Sequence, residues 1–139
     1  MSDSTLPNWI EEHVRQYMET NGEKGHIWNG MPTLLLTTQG RKSDMSRTIP
    51  LIYGTHEGSY VVVGSKGGHP HHPSWYLNLD KNPSVKVQVG SKHMNGVART
   101  SSGEERQNLW NQMCQVFSGY TEYANKTDRE IPVVVIDCC

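Results

Sequence analysis

Residues 84–100 read SVKVQVGSKHMNGVART, and this stretch decides the fold class. Val85, Val87 and Val89 alternate strictly with polar side chains, the period of a strand with one buried and one wet face. Gly90-Ser91 interrupts the alternation with residues suited to a tight turn, and 93–100 can pair back across it. The segment therefore predicts a β-hairpin, and with it antiparallel pairing. Working outward, 33–38 (TLLLTT), 48–53 (TIPLIY) and 60–63 (YVVV) are short apolar and β-branched runs separated by Gly-containing turns, and they predict three more strands. Pro50 lacks the N–H that a ladder needs, so its segment belongs at a strand start, a bulge or a sheet edge. Farther on, 131–136 (IPVVVI) is a continuous apolar run of strand length, able to bury both faces as a closing strand.

Three helices are expected around these strands. In 8–20 the apolar residues Trp9, Ile10, Val14, Tyr17 and Met18 share one helical face, and Asn21-Gly22 supplies the stop. The polar face mixes acids with bases, which suits a helix laid over a barrel end or a dimer partner better than one lying on a membrane. Pro73 suits the first turn of a short helix carrying Trp75, Tyr76 and Leu79. Ser102 and Glu105 have the spacing of a capping box ahead of a stripe formed by Leu109, Trp110, Met113, Val116 and Phe117. Six short strands with helices before, between and after them predict one mainly β (β+α) domain over 1–139, a largely antiparallel barrel with peripheral helices rather than a doubly wound sheet. The Rossmann G-x-G-x-x-G, the Walker phosphate loop and the G-x-S-x-G elbow are all absent.

A chain of 139 residues with 35% hydrophobic and 19% charged residues supports one core, so an active site has to use that core's surface or a dimer seam. A formal net charge of -1 argues against binding nucleic acid through its phosphates. Neither a secretory leader nor a bilayer-length apolar run is legible, which makes the cytoplasm the expected location. Cys114, Cys138 and Cys139 lack paired zinc spacing and read as free thiols. Without a secretory signal, the glycosylation pattern Asn125-Lys126-Thr127 carries no weight.

Two loops carry the candidate chemistry. The turn 40–47 (GRKSDMSR) sets Arg41, Lys42 and Arg47 beside Ser43 and Ser46, a donor set for a phosphate or a chain of carboxylates. Gly64, Ser65, Lys66, Gly67 and Gly68 follow a Val-rich strand, where glycine backbone lets N–H groups approach an anion that Lys66 neutralises. The short helix near Pro73 and Ser74 can add its positive end to the same site. Trp75 and Asn78, three apart, can present an indole and an amide to one ligand edge. Tyr120 and Tyr123, in a loop containing Gly119, can line an apolar pocket and hydrogen-bond or protonate a reduced acceptor. His69, His71 and His72 have no acidic or Cys companion and read as surface loop rather than a metal site. No nucleophile has a paired base and no two carboxylates are closely patterned, so hydrolysis is poorly supported and a redox cofactor would have to supply reactivity.

These residues together resemble the deazaflavin-dependent nitroreductase family, also described as quinone reductases that use reduced coenzyme F-420. The resemblance covers roughly 30–137 and rests on 35–43 (LLTTQGRKS), Arg47 with 48–51 (TIPL), 65–68 (SKGG), 72–79 (HPSWYLNL) and 127–133 (TDREIPV). It implies a six-stranded split β-barrel similar to the FMN-binding split barrel, with the deazaflavin in place of flavin. It also implies hydride transfer to an apolar acceptor: a quinone, a nitro compound or an unsaturated lactone. The implied cofactor-binding residues are Arg41, Lys42, Ser43, Met45, Ser46, Arg47, Pro50, Gly64, Ser65, Lys66, Gly67, Gly68, Ser74, Trp75 and Asn78, with Tyr120 and Tyr123 in the acceptor pocket as catalytic residues. Three positions depart from the family pattern: Asp44 replaces a common glycine, Gly64 a frequent alanine, and Phe117 a tyrosine of nitroimidazole-activating relatives, which counts against activity on those drugs. An FMN-dependent oxidase or reductase of the same barrel class and a non-catalytic deazaflavin carrier are the alternatives. Homodimerisation and membrane contact through 8–20 stay open.

Overall fold

The structure is a computed structural model and describes residues 8–28, 30–42, 45–65 and 71–138. Helix α1 (Asn8–Glu19) leads through a short strand β1 (Ile27–Trp28) into β2 (Met31–Gln39), β3 (Ser46–Ile52), β4 (Gly54–His56) and β5 (Ser59–Val63). Helix α2 (Ser74–Lys81), the hairpin β6 (Ser84–Val89) and β7 (Lys92–Thr100), helices α3 (Gly103–Val116) and α4 (Gly119–Asn125), and strand β8 (Val133–Cys138) complete the chain. The strands pair in the order β1-β2-β6-β7-β8-β5-β4, with β3 on the other side of β2. Every pairing is antiparallel. The expected antiparallel split barrel is present, and the described residues add two short strands, β1 and β4, to the six expected; at two and three residues they are too short to show a period.

The hairpin forms with Val89 opposite Lys92, so Gly90-Ser91 is its two-residue turn, and Gly90 has the positive φ (61°) the turn requires. Pro50 sits in β3 opposite Leu35; among the described residues β3 pairs only with β2, so of the expected placements it takes the sheet edge. Strand β8 joins β7 to β5 and is buried on both faces. Val134 and Ile136 enter one core with Leu34, Leu36, Val62, Trp75, Val85 and Val87. Val133 and Val135 enter a second, under α3 and α4, with Val61, Val63, Leu109, Met113 and Tyr120. Each such side chain contributes roughly 1.5–3 kcal/mol relative to exposure, so a charge at any of residues 133–136 would open the sheet at its centre.

Tyr17 fixes α1 to the barrel. Its ring is fully buried, and its hydroxyl accepts the Gly90 N–H (2.8 Å) and faces the carbonyls of Thr33 (2.9 Å) and Gln88 (3.3 Å). Gly22, with φ 84°, ends the helix turn against Gly90, and a Cβ there would overlap the Gly90 backbone. Two local expectations are corrected. Ser102 is the N-cap of α3 but makes no side-chain cap bond, and the Glu105 carboxylate, the other half of the expected box, accepts from Arg99 (2.7 and 2.9 Å). Gly119 opens helix α4, not a loop, so Tyr120 and Tyr123 are helical.

Candidate cofactor and substrate site

The strand register brings both basic loops to one end of the sheet. Thr37 of β2 lies opposite Lys86, Ser84 opposite Val97, Thr100 opposite Val134, and Val63 of β5 opposite Val133. The chain therefore leaves β2 toward Arg41 and leaves β5 toward Ser65 on the same edge. Helix α2 spans the two exits. Its C-terminal half meets the first loop, while Pro73 at its N-cap faces Gly64 of the second.

The first loop is held by a side-chain amide. Gly40 N–H donates to the Met45 carbonyl (2.8 Å) and closes the turn. The Arg41 backbone N–H (3.2 Å) and its Nη1 (2.8 Å) both donate to Asn78 Oδ1, while Asn78 Nδ2 donates to Thr38 Oγ1 (3.2 Å). Arg41 Nη1 also reaches the Ser74 carbonyl (3.4 Å), and Lys81 Nζ donates to the Arg41 carbonyl (3.0 Å). Asn78 is buried, so the guanidinium is aimed by a partner with no freedom of its own, and its Nε and Nη2 donate to no other described residue. Arg47 and Pro50 are half-buried along β3, whereas Lys42, Met45 and Ser46 are exposed at the turn. Ser43 lies outside the described residues. Beside this loop an open groove of about 460 Å³ runs over Thr37, Gln39, Ser46, Lys86 and Asn95.

In the second loop, Gly64 is wedged between prolines: a Cβ there would come 2.9 Å from Pro132 Cγ and 3.6 Å from Pro73 Cγ, which gives a physical reason for glycine at this position. Its N–H donates to the Pro132 carbonyl (2.9 Å). Ser65 is buried. Lys66, Gly67 and Gly68 lie outside the described residues, as does His69. Among the described residues no group of three or more His, Cys, Asp or Glu side chains is placed to hold a metal ion.

Trp75 and Asn78 are both buried on α2, but they do different things. Trp75 packs in the first core, and the Asn78 amide is spent on Arg41 and Thr38. Tyr120 and Tyr123 belong to the second core, with Phe117 edge-on to Tyr120 at 5.0 Å and 5.9 Å from Tyr123. They share that core with Val63 and Val133, the strand residues nearest the loops, yet stand on the opposite face of β5 and β8 from Trp75. Burial pushes the Tyr120 phenol far above its ordinary value, so its hydroxyl stays protonated. Thr38 and Lys81, which steady Arg41, were not singled out in the sequence; a threonine in an apolar strand and a lysine ending a helix carry no local sign of this role.

The donor chemistry suits a ligand with several negative charges. Arg41 arrives ordered, Lys81 stands beside it, Arg47 lies opposite Thr38 on β3, and the first turn of α2 has no side-chain cap to occupy its N–H groups. A phosphate with a carboxylate tail fits that set. The F420H(2)-dependent quinone reductase family profile matches residues 9–137. An F420H(2)-dependent quinone reductase of Mycobacterium tuberculosis strain H37Rv is 37% identical over 94% of this chain and 97% of its own length. A solved F420-H2 dependent reductase, FDR-A, is 45% identical with TM-score 0.71, covering 76% of this chain and 94% of that one. A relative solved as a domain-swapped dimer is 40% identical with TM-score 0.73, covering 94% and 98%. A pyridoxamine 5'-phosphate oxidase-like protein of Listeria innocua, 14% identical with TM-score 0.53 over 76% of this chain and 82% of that one, shares the fold alone. With a profile that spans nearly the whole chain and relatives well above a third identical, this protein belongs to the F420H(2)-dependent quinone reductase family.

Proposed function

We propose that the loops joined by α2 bind the anionic part of coenzyme F-420 in this oxidoreductase, and that a quinone meets the cofactor at the same end of the sheet. The observation that carries this reading is the Arg41–Asn78 pair, an arginine oriented before any ligand arrives. Arg41, Lys42, Met45, Ser46, Arg47 and Pro50 are assigned to one side of the site and Gly64 and Ser65 to the other, and Ser43, Lys66, Gly67 and Gly68 join the assignment from the sequence alone. Ser74 and Trp75 lie between them on α2, and Asn78 acts through Arg41. The reduced cofactor supplies the hydride. The protein's work is to orient both reactants, exclude water and attend to the proton that the quinone oxygen takes up.

Tyr120 and Tyr123 divide that last task. Because burial holds Tyr120 protonated, it serves as a fixed hydrogen-bond donor to a quinone oxygen and is a poor proton source. Tyr123 is half-buried, with the Lys126 ammonium 5.7 Å from its ring centre, and is assigned as the second phenol beside the acceptor.

Fluorescence titration with coenzyme F-420 and, separately, with FMN tests the assignment, followed by menadione added to the reduced complex. Preferential deazaflavin binding, weakened in Arg41→Ala and Lys66→Ala, and oxidation on adding menadione are expected. Preferential FMN binding with both variants unaffected would remove the assignment, and deazaflavin binding without turnover would make the protein a carrier.

A second copy of the chain is assigned to the apolar patch of α1 and β1, where Trp9, Met18, Ile27 and Trp28 are exposed and the two indoles stack at 6.1 Å. The domain-swapped relative supports this. Light scattering on Trp9→Glu should return a monomer, whereas a monomeric parent that cosediments with lipid vesicles would assign the patch to a membrane. Among the described residues no helix is long and apolar enough to cross a bilayer. The free thiol of Cys114 is consistent with the cytoplasm, the location we propose.

A further inference from the structure

Arg129 stands in the turn before β8, outside every binding segment assigned above. Its Nη1 donates to the Gly64 carbonyl (3.2 Å) and its Nη2 to the Ser65 carbonyl (2.8 Å). The same Nη1 lies 3.1 Å from His72 Nδ1. One guanidinium thus grips the chain where it enters the second basic loop and again where it leaves for α2. The His72 ring packs on Tyr76 at 4.9 Å, and the Tyr76 hydroxyl is 2.9 Å from Thr100 Oγ1, so the exit side is anchored to the barrel through β7.

A guanidinium has donors only, so the contact with His72 requires Nδ1 to carry a lone pair and the proton of the neutral ring to sit on Nε2. Protonation of His72 would turn the acceptor into a donor and set two cations face to face. We infer that Arg129 and His72 form a clamp that fixes Gly64 and Ser65, where the chain enters the second basic loop, for binding the cofactor's anion, and that acid opens it. The inference rests on the proposed role of that loop. The charged groups acting on His72 are Arg129 from the turn before β8 and Asp80 from α2, and Tyr76 faces it from the same helix. Burial and then Arg129 hold the His72 pKa below the ordinary imidazole value, with Asp80 opposing. The neutral, clamping form is therefore favoured in the folded protein, and its contribution is present at neutral pH and lost as pH falls through that lowered value.

The experiment measures coenzyme F-420 affinity by fluorescence between pH 5 and 8 for the parent, Arg129→Lys and His72→Asn, whose Oδ1 stands near the place of Nδ1 and does not titrate. For the parent, affinity should fall by up to about tenfold per pH unit below the His72 pKa, and His72→Asn should flatten that fall. Arg129→Lys keeps the charge but loses the two-pronged grip; it should raise KM for the reduced cofactor about tenfold while kcat changes less than about twofold. In the cofactor-free protein, nitrogen NMR should find His72 as the Nε2–H tautomer. An unchanged acid profile in His72→Asn, or the Nδ1–H tautomer, overturns the clamp even if Arg129→Lys fails to fold. If the parent does not bind coenzyme F-420, or Lys66→Ala binds as the parent does, the fault lies in the loop's assigned role; if Lys66→Ala weakens binding and neither clamp variant has an effect, it lies in the clamp alone.

Discussion

Asn78→Ala separates a residue that touches the ligand from one that aims another. The amide accepts two N–H bonds from Arg41, one of them from the guanidinium at 2.8 Å, and donates one to Thr38. A net hydrogen bond is worth about 0.5–1.5 kcal/mol and one to a charged group about 1.5–3 kcal/mol. Arg41 is only half-buried and water replaces part of what is lost, so a total near the low end, about 2 kcal/mol of stability, is expected. The freed guanidinium must then be ordered when the cofactor binds, at about 0.5–1.5 kcal/mol for a long side chain, which is a loss of roughly 2–12-fold in affinity. Urea unfolding reads the first quantity and fluorescence titration with coenzyme F-420 the second. Asn78→Asp gives the contrast: its carboxylate still holds Arg41 but cancels the charge, so affinity should fall and its salt dependence flatten, while Asn78→Ala keeps the salt slope of the parent. Should Asn78→Ala bind within about twofold of the parent while Arg41→Ala binds far more weakly, the reasoning from preorganisation fails.

Tyr17→Phe should lower stability by about 1–3 kcal/mol, since the Gly90 N–H loses its acceptor beside the hairpin turn. For a domain of this size that is a melting shift of roughly 3–10 °C, and an unshifted melt would mean that α1 is not anchored through this hydroxyl. Tyr120→Phe should reduce kcat/KM with menadione about tenfold, the worth of one hydrogen bond, equally from pH 6 to 9 because the phenol stays protonated throughout. A change in the shape of the pH profile would instead make Tyr120 the proton donor.

The sheet was legible where its residues obey a local period. Alternation at Val85 and Val87 marked one buried face of β6, and the unbroken run at Val133 to Ile136 marked a strand buried on both. What escaped had no period to read or a competing partner elsewhere in the chain. Strands β1 and β4 are too short, and α4 begins at a glycine that reads as loop. Ser102 and Glu105 have the right spacing for a capping box, but Arg99, on the neighbouring strand, offers Glu105 a charge-assisted bidentate bond that a neutral cap N–H does not match.

The candidate site divides along the same physical line. Cations clustered in a turn are visible in sequence because the cluster itself is local, and under the proposed reading they face a ligand. The groups that set their geometry are paired across the fold: Asn78 lies 37 residues from Arg41, and Arg129 lies 64 from Ser65. Neither pairing follows from helix or strand spacing; both arise because strand register brings the exits of β2 and β5 to one edge and α2 is laid across them. A substitution in α2 or in the turn before β8 can therefore alter cofactor affinity without removing any group that the cofactor touches. Affinity in such variants should vary with the order of the loops rather than with net charge, which is the opposite of what their exposed lysines and arginines suggest when read alone.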